Sequence, residues 1–157
     1  MSIERARAYL ARFGMEDRIM EFEQSSATVE LAAQAVGCEP ARIAKTLSFE
    51  VAGDVVLVVV AGDARINNQK FKAAFHAKPR MLPAASAEER IGHAVGGVCP
   101  FGVNDGVRVF LDESLLRFDT VYPAAGSSSS AVRLTPKELE GCLEGVAWVD
   151  VSRLPDA

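Results

Sequence analysis

The stretch that most constrains the fold is 45–60. From Lys45 to Val51, the residues Leu47, Phe49 and Val51 alternate with Thr46, Ser48 and Glu50, the period-two pattern of a half-buried strand. Val55 to Val60 then runs apolar throughout, almost all of it valine, which suits a strand covered on both faces. Gly53-Asp54 between them predicts a turn, so the two form an antiparallel hairpin. A chain of 157 residues is long enough to bury such a strand in one core and too short for two typical domains.

Around this hairpin the pattern changes repeatedly. Ile3, Ala6, Leu10 and Phe13 recur at helical spacing before Gly14. Arg18 to Phe22 predicts a short strand, and Thr28 caps a helix through Val36 that ends at Gly37. That helix is alanine-rich and suited to close packing on a sheet. Pro40 opens a helical turn, and Asn67 or Asn68 caps a short helix carrying Phe71 and Phe75. Ser86 and Glu89 have capping-box spacing, as do Thr135 and Glu138 with Pro136 at the first helical position. Strands are expected over Val107–Leu111, Thr120–Tyr122, Ala131–Leu134 and Trp148–Val151, with Asp112 capping a turn through Phe118. No internal repeat or long linker divides the chain. Short strands broken by short helices, without regular βαβ alternation, predict one compact α+β domain over 1–157. Its sheet is expected to be curled, mixed or antiparallel and barrel-like, with short flanking helices.

Composition narrows the function. Apolar residues are 49% and charged residues 24%, as in ordinary folded proteins. A net charge of −4 and a pI near 5.2 argue against coating nucleic acid by bulk charge, so no DNA partner is expected. Cys38, Cys99 and Cys142 show no CxxC spacing and only His76 and His93 accompany them, so neither a metal site nor a disulfide framework is implied. The charged N-terminal stretch does not have the apolar centre of a signal peptide, and the longest apolar run is too short to cross a bilayer. A cytoplasmic location without membrane contact is the expectation.

Four features carry candidate chemistry. The loop Gly96-Gly97-Val98-Cys99-Pro100-Phe101-Gly102 is either a tight turn or a device that aims several backbone N–H groups at one point. Lys45, at the head of its strand, is either a solvated end or a pocket lysine that holds a phosphate or polarises a carbonyl. From residue 65 to 87 the chain has Arg65, Lys70, Lys72, Lys78 and Arg80 and no acidic residue: either a solvated surface or a seat for an anion. Ser127 to Ser130 is either a flexible turn or a polar pocket lining. Cys99 with His93 six residues upstream also permits a thiol nucleophile, although small buried cysteines are common and no third orienting residue is evident.

Taken together, Ala44-Lys45-Thr46-Leu47, the 96–102 loop, and Ala124-Ala125-Gly126 before the serines and Leu134-Thr135-Pro136 resemble the YbaK/ProX family. These are free-standing relatives of the editing domain of bacterial prolyl-tRNA synthetases. The resemblance runs from the first helix to Trp148. It implies hydrolysis of the ester that joins a wrong amino acid to tRNA, with no cofactor. The family's pocket lysine falls on Lys45 and its G-x-x-x-P loop on Gly96 to Pro100. Gly96 and Gly97 then place backbone donors beside the scissile carbonyl. Thr46, Val98, Cys99, Pro100, Phe101, Gly102, Ser128 and Ser129 line the substrate. Many relatives carry a distinctive polar residue where this chain has Ser128 and Ser129, which leaves the aminoacyl group open. The implied partners are the acceptor end of a mischarged tRNA, met by the 65–80 basic residues, and an aminoacyl-tRNA synthetase. A non-catalytic aminoacyl-tRNA or nucleotide-binding module is the alternative.

Overall fold

Burial of residues 55–61 organises the sheet: from Val56 to Ala61 every residue is fully buried. The computed structural model describes residues 2–26 and 28–155, so Met1, Ala27 and the last two residues of the expected 1–157 domain lie outside the described residues. Along the chain come α1 (Ser2–Ala11), β1 (Ile19–Glu21), α2 (Val29–Val36), β2 (Ile43–Val51) and β3 (Asp54–Ala61). Next are β4 (Arg65–Ile66), α3 (Asn68–Phe75), α4 (Ala87–Ile91) and β5 (Arg108–Asp112). The chain closes with β6 (Tyr122–Pro123), β7 (Ser130–Val132), α5 (Pro136–Gly141), β8 (Ala147–Val149) and β9 (Ser152–Arg153).

The expected α+β fold with a curled mixed sheet is the one observed. Five strands in the order β6-β2-β3-β5-β8 form a half-barrel, and two ribbons, β1-β7 and β4-β9, extend it. Only β2 and β3 are antiparallel within the main sheet; β6, β5 and β8 each join in parallel. The hairpin turn lies one residue earlier than Gly53-Asp54. Val51 pairs with Asp54, so Ala52 (φ 52°) and Gly53 (φ 86°) make the bend. Two successive positive φ angles give the turn the twist that two paired strands require.

Helices pack on the sheet from more than one side. On one side Phe71 of α3 contacts Phe49 with ring centroids 4.8 Å apart, and Phe75 meets Phe110 edge-on at 4.9 Å. Ala6 and Leu10 of α1 join the same core. On another side Ala32 and Ala33 bring α2 close to Ile43 and Tyr122, the close packing its alanines predicted. The Thr28 cap forms, with its hydroxyl accepting from the Leu31 N–H at 3.1 Å. Asn67 caps α3, and the Thr135–Glu138 box is complete. The Ser86 box does not form. A 3-10 turn over Ala84–Ser86 runs directly into α4, Ser86 itself has helical angles, and its side chain makes no capping bond. The predicted last strand, Trp148–Val151, is observed as Ala147–Val149; residues 150–151 cross from the β5 edge, and a further strand the sequence did not predict pairs Ser152 with Ile66.

Asp112 locks that crossing. It is fully buried, accepts from the Ser114 and Val151 N–H groups at 3.0 and 2.9 Å, and receives the Ser152 hydroxyl at 2.5 Å. Removing the carboxylate strands three buried donors. Asp112→Ala is expected to cost about 3 kcal/mol of unfolding free energy, read as a lower urea midpoint with an unchanged slope.

Candidate active site

Strand β2 is held by β3 along its full length on one edge, while its other edge is shared by two short partners. β6 pairs with it at Ile43 and Ala44. Residues 80–82 pair further along, through Glu50 N–H to the Arg80 carbonyl (2.9 Å) and Leu82 N–H to the Ser48 carbonyl (3.0 Å), with Met81 opposite Phe49. Between these partners Lys45, Thr46 and Leu47 border a cavity of about 220 Å³. Tyr122 and Ala124 bound it on the β6 side, and Met81 bounds it near residues 80–82. Ser26, Thr28 and Val29 at the start of α2, Ser130 of β7, and Gly96 and Val98 complete the wall.

Lys45 is the only charged residue among those lining the cavity. Its Nζ donates to the Gly62 carbonyl at 3.4 Å, leaving N–H capacity for a ligand. Burial, and then the nearby Arg65 charge, hold its pKa below that of an ordinary lysine; Asp63 and Glu30 partly oppose them. Asp63 is itself held by Arg117, with contacts of 2.6 and 3.1 Å. The Gly62–Asp63 bend is fixed from below as well, because a side chain at Gly62 would run into the Pro40 carbonyl.

The glycine loop is joined to its neighbour backbone against backbone. A Cβ on Gly97 would stand 2.7 Å from the Gly126 carbonyl carbon and oxygen and from the Ser127 nitrogen. Only glycine permits that approach. The Gly97 N–H is spent on the Ala94 carbonyl at 3.0 Å, whereas those of Gly96 and Val98 donate to no carbonyl among the described residues. Cys99, Pro100 and Phe101 lie buried beneath the loop and do not line the cavity. The buried His93 donates from Nε2 to the Phe101 carbonyl at 2.6 Å, and the Cys99 sulfur lies 3.5 Å from that nitrogen. Complete burial pushes the Cys99 thiol up to about 12, and burial lowers the His93 pKa. This pair is a neutral internal prop for the loop, which opposes a thiol nucleophile. Gly102 (φ 68°) packs beneath the Arg5 backbone. With Pro100 it borders a different, open cleft beside Tyr9.

Ser128 and Ser129 do not line the cavity. Their carbonyls instead accept from Ser26 and Phe22 N–H groups, at 2.5 and 2.8 Å, and so staple the segment that leads to Thr28. The serine that reaches the wall is Ser130, whose buried hydroxyl accepts from the Ala125 N–H at 3.2 Å. Among the basic residues, Arg65, Lys70, Lys72, Lys78 and Arg80 are all exposed. Lys70 is committed to Asp150 and the Ser152 carbonyl, both at 3.0 Å. Arg80 adjoins the cavity through Met81. Sequence reasoning missed Ser26, Thr28, Met81, Val95 and Tyr122 as cavity lining, and read Ala124 only as part of the family motif. Thr28 was legible only as a helix cap, and Ser26, Met81, Val95 and Tyr122 carried no chemical signal.

The pattern of the family described as the aminoacyl-tRNA editing domain matches residues 23–142, which contain every element of this cavity. The chain belongs to the aminoacyl-tRNA editing domain family. The family resemblance seen in the sequence is thereby shown. A curated relative, the "Uncharacterized protein YwhH" of Bacillus subtilis (strain 168), is 48% identical over 154 residues, 98% of each chain. The "Proline--tRNA ligase" of Lysinibacillus sphaericus is 32% identical over 89 residues, 56% of this chain and 16% of that enzyme. Among solved structures, one described as "a putative trans-editing enzyme for prolyl tRNA synthetase" superposes with a TM-score of 0.87 at 33% identity, covering 97% of both chains. No helix among the described residues of this editing-domain protein is long and apolar enough to cross a membrane.

The Gly97–Gly126 contact has a direct test. Gly97→Ala is expected to cost about 1–3 kcal/mol through overpacking, seen as a lower melting midpoint. Gly141→Ala, whose added carbon meets nothing within 4 Å, should be neutral or slightly stabilising within its helix.

Proposed function

We propose that the protein is a trans-acting deacylase that hydrolyses the ester of a small amino acid mischarged onto tRNA. The observation that carries this reading is that one lysine shares a cavity of about 220 Å³, otherwise lined by uncharged described residues, with Gly96 and Val98, whose amides donate to no carbonyl among the described residues. Such a volume admits a small side chain such as that of alanine, serine or cysteine together with the backbone that carries it. An apolar pocket discriminates a missing methylene by only about 1–3 kcal/mol, so synthetases make such errors and a second pocket must clear them. Similarity to proline–tRNA ligases over 89 residues favours tRNA for proline as the carrier, with a synthetase as neighbour and the cytoplasm as the site of action.

An aminoacyl ester is already activated, so orientation and stabilisation of the developing oxyanion are the main requirements. In the proposed mechanism Lys45 holds the terminal phosphate–ribose or the ester carbonyl. The Gly96 and Val98 amides stabilise the negative oxygen, while Gly97 fixes where they stand. Water, oriented directly or through a substrate hydroxyl, attacks the acyl carbon; the acyl carbon–oxygen bond to the ribose breaks, the water oxygen leaves with the amino acid, and a water proton passes to the ribose oxygen. Cys99 takes no part. Arg65, Lys72, Lys78 and Arg80 meet the phosphates of the acceptor end, so affinity should fall as salt rises.

Deacylation measured across a panel of mischarged tRNAs tests this. At least one small aminoacyl ester should be cleared, with Lys45→Ala slowing it roughly 100-fold and Cys99→Ala keeping most of the rate. Binding of tRNA with no ester hydrolysed would instead favour the binding-module reading. The pH profile supplies a separate check. Lys45 is cationic below its depressed pKa, so catalysed turnover, corrected for alkaline background hydrolysis, is lost as pH rises through it. Arg65→Ala removes a repelling charge, raises that pKa and moves the alkaline limb upward.

A further inference from the structure

The second edge of β2 contains a gap with a defined size. Residues 80–82 take up the Ser48 carbonyl and the Glu50 N–H. Because backbone groups alternate in direction along a strand, even-numbered residues of β2 point to this edge and odd-numbered residues point to β3. β6 pairs no further than Ala44. The Thr46 N–H, the Thr46 carbonyl and the Ser48 N–H therefore face outward, and none has a backbone partner on this edge among the described residues. Thr46 and Ser48 both line the cavity that holds Lys45. Unpaired backbone groups on a strand edge are a template for an added strand. Here the template is one residue long, closed on one side by β6 and on the other by residues 80–82. It has room for a single amino-acid unit and none for an extended peptide.

We propose that this gap is the docking edge for the α-amino acid part of the substrate, with the Thr46 carbonyl accepting from the α-amino group and the Ser48 amide joining the loop amides around the acyl oxygen. The proposal rests on the deacylase reading and deepens it. It makes the site selective for α-aminoacyl esters over other acyl esters of the same size, through main-chain groups that no side-chain substitution removes.

Alanyl-, lactyl- and propionyl-tRNA differ only in carrying an α-amino group, an α-hydroxyl or a hydrogen. Each enzymatic rate is divided by the uncatalysed hydrolysis of the same ester, which removes differences in intrinsic reactivity. Normalised kcat/KM should fall in that order, with propionyl at least about tenfold below alanyl. A second measurement reads the backbone itself. Amide hydrogen exchange is followed with and without 3′-alanylamino-3′-deoxyadenosine, which carries a stable amide in place of the ester. Thr46 and Ser48 should exchange faster than Leu47 in the free protein, and Ser48 should slow at least tenfold when the analogue is saturating, while Gly53 is unchanged. Equal normalised rates for alanyl and propionyl esters, or an unprotected Ser48 amide in the saturated protein, would overturn the docking edge and leave the deacylase intact. Hydrolysis of no aminoacyl ester, together with no binding of the analogue, would overturn both.

Discussion

The β2–β3 ladder is the constraint on which the rest of the structure depends. It pairs eight residues, from Ala44–Ala61 to Val51–Asp54, and β3 is buried on both faces. β3 cannot move without opening the core, so β2 is fixed in height and register along one edge. Everything that makes the cavity is then attached to the other edge or to the loops above it. Lys45 is placed by this register, opposite Val60, and its ammonium reaches back to the Gly62 bend that ends the same ladder.

The walls come from parts of the chain far apart in sequence, and backbone contacts join them. Gly97 rests on Gly126, the Ser128 and Ser129 carbonyls hold residues 22–26, and residues 80–82 close the far end of β2. His93, Cys99 and Phe101 support the glycine loop from inside. Such contacts specify position without adding charge to the cavity. That leaves the Lys45 ammonium as the dominant local field there, and partial burial strengthens its interaction with any ligand while it lowers the lysine's own affinity for a proton.

Much of the scaffold was legible in the sequence because it is written in periodicity and caps. The valine run, the Thr28, Asn67 and Thr135 caps and the alanine face of α2 all act locally, or through a face pattern that survives in one dimension. Ser86 misled because the same residues serve a 3-10 turn that continues into the helix, where no terminal donor is left to cap. The site was less legible. Lys45 and the glycine loop stood out by residue type, but Met81, Tyr122 and Ala124 reach the cavity only through strand pairing. The shift from Ser128 and Ser129 to Ser130 depends on which hydroxyl a tight turn directs inward. No sequence signal marks a gap in a strand edge, since it is defined by where two other segments stop pairing.

The backbone-on-backbone seat of Gly97 has a consequence for how such a site changes over time. Most of the wall is built from small or apolar side chains. Exchanging them alters the room available to a ligand while the polar groups stay where the main chain puts them. The exceptions are the glycines that let two loops touch. The cavity is thus free to drift in the size of side chain it admits, on a frame in which Gly97, pressed against the Gly126 and Ser127 backbone, has little freedom to vary.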